Sequence, residues 1–374
     1  MTILIIGNGF DLAHYLPTQY SDFLDFVKAL NAPRDNDHSR LIAEIKERDE
    51  KLYSEILTLA KNNVLINYFL SIYEDRCKGG KNGWIDFESE ISIIVQKLDE
   101  AKQDITEKYS KTNRPVRLEK SIAIMLNPII DALNHLPPYT PADDRYEPPF
   151  FDDLASRVLD DLNRLTRLLE IYLYECIEKS NCSLRIPEIK EIKPDYVLSF
   201  NYTDTYRKYY DPENKAQYCF IHGKTKNGSL EECDLVLGID EYLPPERRDT
   251  DNEFVWFKKF YQRIYKETGS EYQDWINQFE DLNETYKLAN PYYLDLFIYG
   301  HSLDVTDKDV LSRLIMMDNT ITHIFYHSRE AMAKQISNLV KIIGEDNLIR
   351  KTGGKDRTIL FTQSQPAVKL DVEK

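Results

Sequence analysis

No apolar run in this sequence nears the roughly 18–20 residues that a membrane-spanning helix needs, which predicts a chain with no membrane partner. Basic residues are in deficit, with 48 Lys and Arg against 63 Asp and Glu, a formal charge of −15. Such a surface repels the nucleic-acid backbone over most of its area and argues against a duplex-binding module. The five cysteines, Cys77, Cys176, Cys182, Cys219 and Cys233, form no C-x-x-C pair. That argues against a structural zinc site and against a disulfide framework, and fits thiols in a reducing compartment. Met1–Ala13 has no basic n-region and no cleavage site, so it reads as a folded element rather than a secretory signal, and a cytoplasmic protein is expected.

What is present is enough apolar material, 42 % of 374 residues, for a sizeable core in one large domain or two ordinary ones. The chain is organised around its first stretch, Ile3–Ala13. Four apolar residues, Ile3 to Ile6, run into Gly7-Asn8-Gly9-Phe10-Asp11. A short apolar run closed by glycine reads as a strand buried on both faces, here the centre of a parallel sheet. The loop after such a strand is a usual place for a phosphate-bearing ligand, because glycine lets backbone approach it. The G-x-G lacks the third glycine of the dinucleotide fingerprint, so alone it also fits a bare tight turn.

Helical periodicity then dominates. A helix interrupted near Pro17 is expected from Phe10 to Val27, its second part capped by Thr18 or Ser21. Helical patterns follow over Arg40–Tyr73, from Trp84 to about 103, over Leu118–Leu136, and from Phe151 to about Lys179. Glycine-rich Cys77–Gly83 and proline-rich Pro137–Pro149 break them. From Asp195 the rhythm changes. DYVLSF (195–200), QYCFIHG (217–223), LVLGID (235–240), DLFIYG (295–300), ITHIFYH (321–327) and RTILFTQ (357–363) read as strands alternating with helices, and the last dozen residues as loose. The expected fold is α/β, a mainly parallel sheet flanked by helices, with a large helical insertion after the first strand. Residues 1–30 and 190–374 form the core and 31–189 the helical lobe.

Polar groups recur at the carboxyl ends of these strands: Asn201-Tyr202-Thr203-Asp204, His222-Gly223, and Gly300-His301-Ser302-Leu303-Asp304, beside Gly7–Asp11. In a parallel sheet those ends line the edge where open α/β folds bind ligands. Each has a plainer use: Asn201 in an Asx-turn, His222 in the core, Asp304 as a helix cap with Asp307 in the first turn.

The strings ILIIGNGFDLA, SFNYTD, IHGK, LVLGIDE and IYGHSLD-x-x-D, in that order, with WIDFE at 84–88, resemble the bacteriophage abortive infection AbiH family. More distantly, the order of G-x-G, Asn201 with Asp204, His222-Gly223 and Gly300 with Ser302 is similar to sirtuin-like NAD-hydrolysing domains of phage defence. That second resemblance implies a Rossmann-like, sirtuin-like sheet and NAD as substrate. It implies Gly7, Asn8, Gly9, Phe10 and Asp11 along the dinucleotide, and Gly300, His301, Ser302 and Asp304 in the loop holding the ribose. Asn201, His222 and Asp204 become the catalytic candidates. The zinc-binding cysteine pairs of protein deacylases are absent, so no metal is expected. A homo-oligomer or a phage-derived trigger is the expected partner beside the nucleotide.

Chemistry fits those residue types. Nicotinamide leaves as a neutral molecule from a cationic precursor, so no general acid is needed. An amide can orient water and a ribose hydroxyl, and a histidine near pKa ~6.5 can take a proton. Two alternatives stand. One is a nucleotide-binding sensor acting through a partner. The other is a metal-dependent nuclease using Asp86, Glu88, Asp304, Asp307 and Asp309. The aromatic and basic segment Phe254–Tyr265 reads as a helix packed on the sheet, or as a nucleic-acid stacking surface. His14, His135, His323 and His327 have no evident partner in the sequence.

Overall fold

A computed structural model describes residues 1–32, 36–78, 85–133, 145–286 and 293–369. The chain forms two compact units, Met1–Thr18 with Leu173–Thr225 and Lys266–Lys374, and Gln19–Tyr172 with Lys226–Tyr265. The boundaries expected from the sequence, 1–30 with 190–374 and 31–189, instead put 19–30 and 226–265 with the sheet and 173–189 with the helices. Among the described residues no helix is long and apolar enough to cross a membrane.

The first unit is α/β. Its strands are β1 (Thr2–Ile6), β2 (Tyr196–Ser199), β3 (Gln217–Phe220), β4 (Leu294–Tyr299), β5 (Thr320–Tyr326) and β6 (Ile359–Gln363). All pair in parallel, in the spatial order β3-β2-β1-β4-β5-β6. Strand order therefore reverses around β1, which pairs with β2 on one side and β4 on the other. Successive residues of β1 serve opposite faces, as a strand requires. Ile3 and Ile5 join the core beneath helices Tyr272–Tyr286, Lys308–Met316 and Arg329–Ile343. Leu4 and Ile6 join Phe10, Ile186, Ile189 and Tyr206 on the other face. Burial on both sides explains why β1 is unbroken in its hydrophobicity. Val368–Lys369, within the stretch expected to be loose, pairs antiparallel with Leu184–Arg185.

The second unit is helical. The break near Pro17 separates helices Asn8–Ala13 and Tyr20–Asn31. The cap of the latter is neither Thr18 nor Ser21. Gln19 accepts from the third helical amide while Asp22 reaches back to the Gln19 amide, a reciprocal capping box. Asp86 caps the Phe87–Thr112 helix by accepting from the Glu88 and Ser89 amides. Phe87 is wholly buried, stacked between Tyr20 at 4.2 Å and Phe69 at 4.3 Å.

LVLGID is not a strand. Leu235, Val236, Leu237 and Ile239 are buried, but the backbone is satisfied otherwise. Gln262 accepts from the Leu237 amide at 3.1 Å and donates to its carbonyl at 3.1 Å, and one bridge joins Ile239 to Lys258. The aromatic segment lies in this unit too. Its helix spans Lys259–Tyr265 after a turn at Val255–Phe257, with Phe254 and Phe257 buried. Trp84, most of the glycine-rich break and most of the proline-rich stretch lie outside the described residues, as does His135.

Candidate functional site

Register fixes what meets at the carboxyl edge. Ile6 pairs with Ser199 and with Tyr299, and Ser199 with Phe220. Asn201, His222 and His301 each stand two residues past these pairs, so β2, β3 and β4 deliver a polar side chain at one level. The three are each 5 % exposed.

The glycines of the first loop serve a loop-to-loop contact. The Gly7 amide donates to the Tyr299 carbonyl, Gly9 to Gly300 at 2.8 Å, and Phe10 to Gly7. Gly300 has φ +68, and a Cβ there would lie 2.2 Å from the Phe10 nitrogen. Backbone therefore lies against backbone at the point where β1 and β4 end. These amides are committed inside the fold, so the expectation that they cradle a diphosphate does not carry over to them. Phe10 is wholly buried against His14, Tyr206, Tyr210 and Tyr299. Asn8 turns away, accepting from the Thr18 hydroxyl and donating to the Thr18 carbonyl.

Asp11 is the residue of that loop that reaches the edge. It is 1 % exposed, and its Oδ2 accepts from the Thr203 hydroxyl, which itself accepts from Thr205 at 3.1 Å. Among the described residues its Oδ1 has no hydrogen-bond partner, and neither does either end of the Asn201 amide. The turn that carries Asn201 is closed by the Ser199 hydroxyl, not by an Asx-turn. Burial pushes the Asp11 carboxyl up from 3.8 to about 6. The Thr203 and Thr205 hydroxyls oppose that rise, the Glu178 charge adds to it, and the adjacent Asn201 amide opposes it weakly. Buried polar atoms without partners are costly, on the order of 1–3 kcal/mol each, and are uncommon in stable interiors.

Beside this pair stands a second group. His222 Nε2 lies 3.3 Å from Asp307 Oδ1, and His301 Nε2 lies 3.4 Å from Asp307 Oδ2. The Leu303 amide donates to His301 Nδ1 at 2.9 Å. The Phe200 ring packs edge-on to both imidazoles, 5.6 Å from His222 and 4.4 Å from His301. Helix Arg329–Ile343 steadies the loop, since Gln335 donates to the His301 carbonyl and Asn338 to that of Ser302. The Ser302 side chain is exposed, and Asp304 caps the turn Val305–Asp307.

Asp204 is held differently from the other catalytic candidates. Its carboxylate meets Lys224 at 2.6 Å and Arg207 at 3.5 Å, and its amide donates to Glu178. Of the carboxylates weighed for a nuclease, Asp86 caps a helix, Glu88 pairs with Lys259 at 2.8 Å, Asp304 caps a turn and Asp307 faces the histidines. Asp309 lies exposed in a first helical turn. Among the described residues no group of three His, Cys, Asp or Glu is arranged to hold a metal ion. His14 is structural, bridging the Phe10 carbonyl and the Tyr210 hydroxyl, and His323 stacks on Phe297. Thr205 and Glu178 carry no signal in the sequence, and Thr203 enters there only as part of the polar stretch Asn201–Asp204. From the sequence Asp307 reads as a helix-start acid or as one of the nuclease carboxylates, although its place in H-S-L-D-x-x-D carries the signal.

A family model described as bacteriophage abortive infection AbiH matches residues 3–327, which runs from within β1 through β5 and takes in Asp11, Asn201, Thr203, His222, His301 and Asp307. No curated protein and no solved structure matches the chain.

Proposed function

Because the chain belongs to the bacteriophage abortive infection AbiH family, we propose that it is an anti-phage defence protein whose carboxyl sheet edge binds NAD and hydrolyses its N-glycosidic bond. The observation that carries this reading is the pair of buried groups, Asp11 Oδ1 and the Asn201 amide, which lie beside each other at that edge and make no well-formed hydrogen bond. A ligand rich in hydroxyls supplies what they lack. The strand order supports a nucleotide in particular. Taken in chain order it is 3-2-1-4-5-6, the order of doubly wound dinucleotide-binding sheets, which hold ligand outside the carboxyl ends where the order reverses. The sirtuin-like likeness of Asn201, His222 and the Gly300–Ser302 loop points to NAD within that class.

The bond between the ribosyl C1′ and the nicotinamide nitrogen breaks with its electron pair leaving on nitrogen. Asp11, with a pKa of about 6, is mostly ionised at neutral pH and offsets the charge that develops on the ribosyl cation. Asn201 offers one donor and one acceptor to fix the water and a ribose hydroxyl. Water forms the new C1′–O bond, and His222 accepts its proton. The products are nicotinamide, ADP-ribose and a proton. Low exposure of these groups excludes bulk water, which strengthens their electrostatics.

Purified protein incubated with NAD is expected to release nicotinamide, and Asn201→Ala and His222→Ala are expected to abolish release. Turnover in both variants equal to that of the wild type, or none in the wild type under conditions that trigger defence, overturns the assignment. A second reading, a nucleotide sensor without turnover, draws on the 1–5 % exposure of Asp11, Asn201, His222 and His301, which suits retention better than release. Calorimetric binding of NAD with no nicotinamide released identifies that case.

A further inference from the structure

We propose that Asp307 is a positioning residue that joins His301 to His222 and sets the tautomer in which His222 acts. The inference deepens the hydrolase reading above and rests on it for its chemistry, while its geometry stands alone. It begins at His301. A backbone amide is an obligate donor, so the Leu303 N–H at 2.9 Å assigns His301 Nδ1 as an acceptor. In the neutral ring the proton then sits on Nε2, which faces Asp307 Oδ2 at 3.4 Å. That arrangement keeps the Nε2 lone pair from serving a metal and makes Asp307 the recipient of a proton donor.

Asp307 Oδ1 faces His222 Nε2 at 3.3 Å. A carboxylate accepts and does not donate, so it selects the His222 tautomer with the proton on Nε2. The basic lone pair of His222 is thereby assigned to Nδ1. The carboxylate also stabilises the imidazolium formed when that nitrogen takes a proton, the role an orienting acid plays beside a general base. Both separations are slightly longer than a well-formed hydrogen bond, and contacts of this kind tighten when ligand closes a site. All three side chains are 5–8 % exposed, so solvent screens the relay little. Asp307 and the Tyr202 ring, at 6.4 Å, face His222, and His301 lies behind Asp307. No proton leaves Asp307 in this scheme. Water gives its proton to His222 Nδ1, and Asp307 keeps its charge throughout.

The test reads tautomers directly. Long-range nitrogen–proton NMR on protein with labelled histidine, assigned with His222→Gln and His301→Gln, is expected to show both rings protonated on Nε2 in the neutral form of the wild type. A neutral His222 ring protonated on Nδ1 in the wild type overturns the proposal. In Asp307→Asn the His222 pKa is expected to fall by about one unit or more as the carboxylate is lost, and its tautomer to become mixed. An unchanged pKa and tautomer also overturn it. In the nicotinamide assay the same variant is expected to lose about tenfold or more in kcat with KM within about twofold, and its pH profile to shift to the acid side. If the wild type releases no nicotinamide, the hydrolase reading falls, and the NMR result still decides the relay.

Discussion

Thr203 donates its hydroxyl to Oδ2 of Asp11 at 2.5 Å, joining residues 192 apart in the chain. The other carboxylate oxygen has no partner among the described residues, and the side chain is wholly buried. The carboxylate is thus held through one oxygen while the other is buried beside the Asn201 amide.

The first prediction follows from that burial. The folded-state pKa of Asp11 is raised from 3.8 to about 6. Between those values the folded chain holds a proton that the unfolded chain has released. The contribution is therefore full below about pH 4 and lost as pH rises through about 6, a change of about 3 kcal/mol. Asp11→Asn removes the titration. Urea unfolding is expected to show a wild-type stability that declines from pH 5 to 7.5 relative to the variant, with the variant the more stable at pH 7.5. Parallel pH curves for the two proteins refute the assignment.

The second concerns the loop contact. Gly300 and Gly354 both have positive φ, +68 and +77, but only Gly300 is crowded, with the Phe10 nitrogen 2.2 Å from where a Cβ would stand. Gly354→Ala meets nothing within 4 Å and is expected to cost only the strain of its backbone, about 1 kcal/mol. Gly300→Ala must also part the two loops and is expected to cost about 3 kcal/mol or more. Equal unfolding midpoints for the pair would mean that the loops separate freely.

Much of the sheet is legible in the sequence because β1 and β2 are buried on both faces, β4 is buried at alternate residues, and each runs into a glycine or asparagine within two residues of its end. LVLGID has the same signature and is equally buried, yet the Gln262 side chain bonds its backbone in place of a neighbouring strand. An apolar run reports burial, not the identity of the hydrogen-bond partner. The glycines announce close backbone approach but not toward what, and here the neighbour is Gly300. The role of Thr203 is hidden for a different reason. A threonine in a loop carries no local signal, and its partner is set by the pairing of β1 with β2. Asp307 carries a local signal that misleads, since a helix-start acid is the commoner meaning of its position.

A third prediction tests the helical unit. Arg167 is 2 % exposed and meets Glu170, wholly buried, at 2.7 Å and Glu55 at 2.9 Å. Removing one charge of a buried pair strands the other, so Arg167→Met is expected to cost about 3–5 kcal/mol. Arg167→Met with Glu170→Leu removes both buried charges and is expected to recover most of that loss. Chemical unfolding of the single and double variants checks it, and a double variant as unstable as the single one counts against the pair.

The last prediction separates Asp204 from the residues it accompanies in the sequence. Asn201 leaves both ends of its amide without partners, whereas the Asp204 carboxylate is met by Lys224 at 2.6 Å and Arg207 at 3.5 Å. Two cations largely cancel the charge that Asp204 would bring to a developing ribosyl cation. Its backbone amide, bonded to Glu178 at 2.7 Å, holds the loop irrespective of the side chain. Asp204→Asn keeps an acceptor for Lys224 and is expected to hold nicotinamide release within about threefold of wild type, where Asn201→Ala loses about a hundredfold or more. If Asp204→Asn instead falls as far as Asn201→Ala with an unchanged unfolding midpoint, the Asp204 carboxylate acts on the ligand itself and its pairing with Lys224 opens when ligand binds.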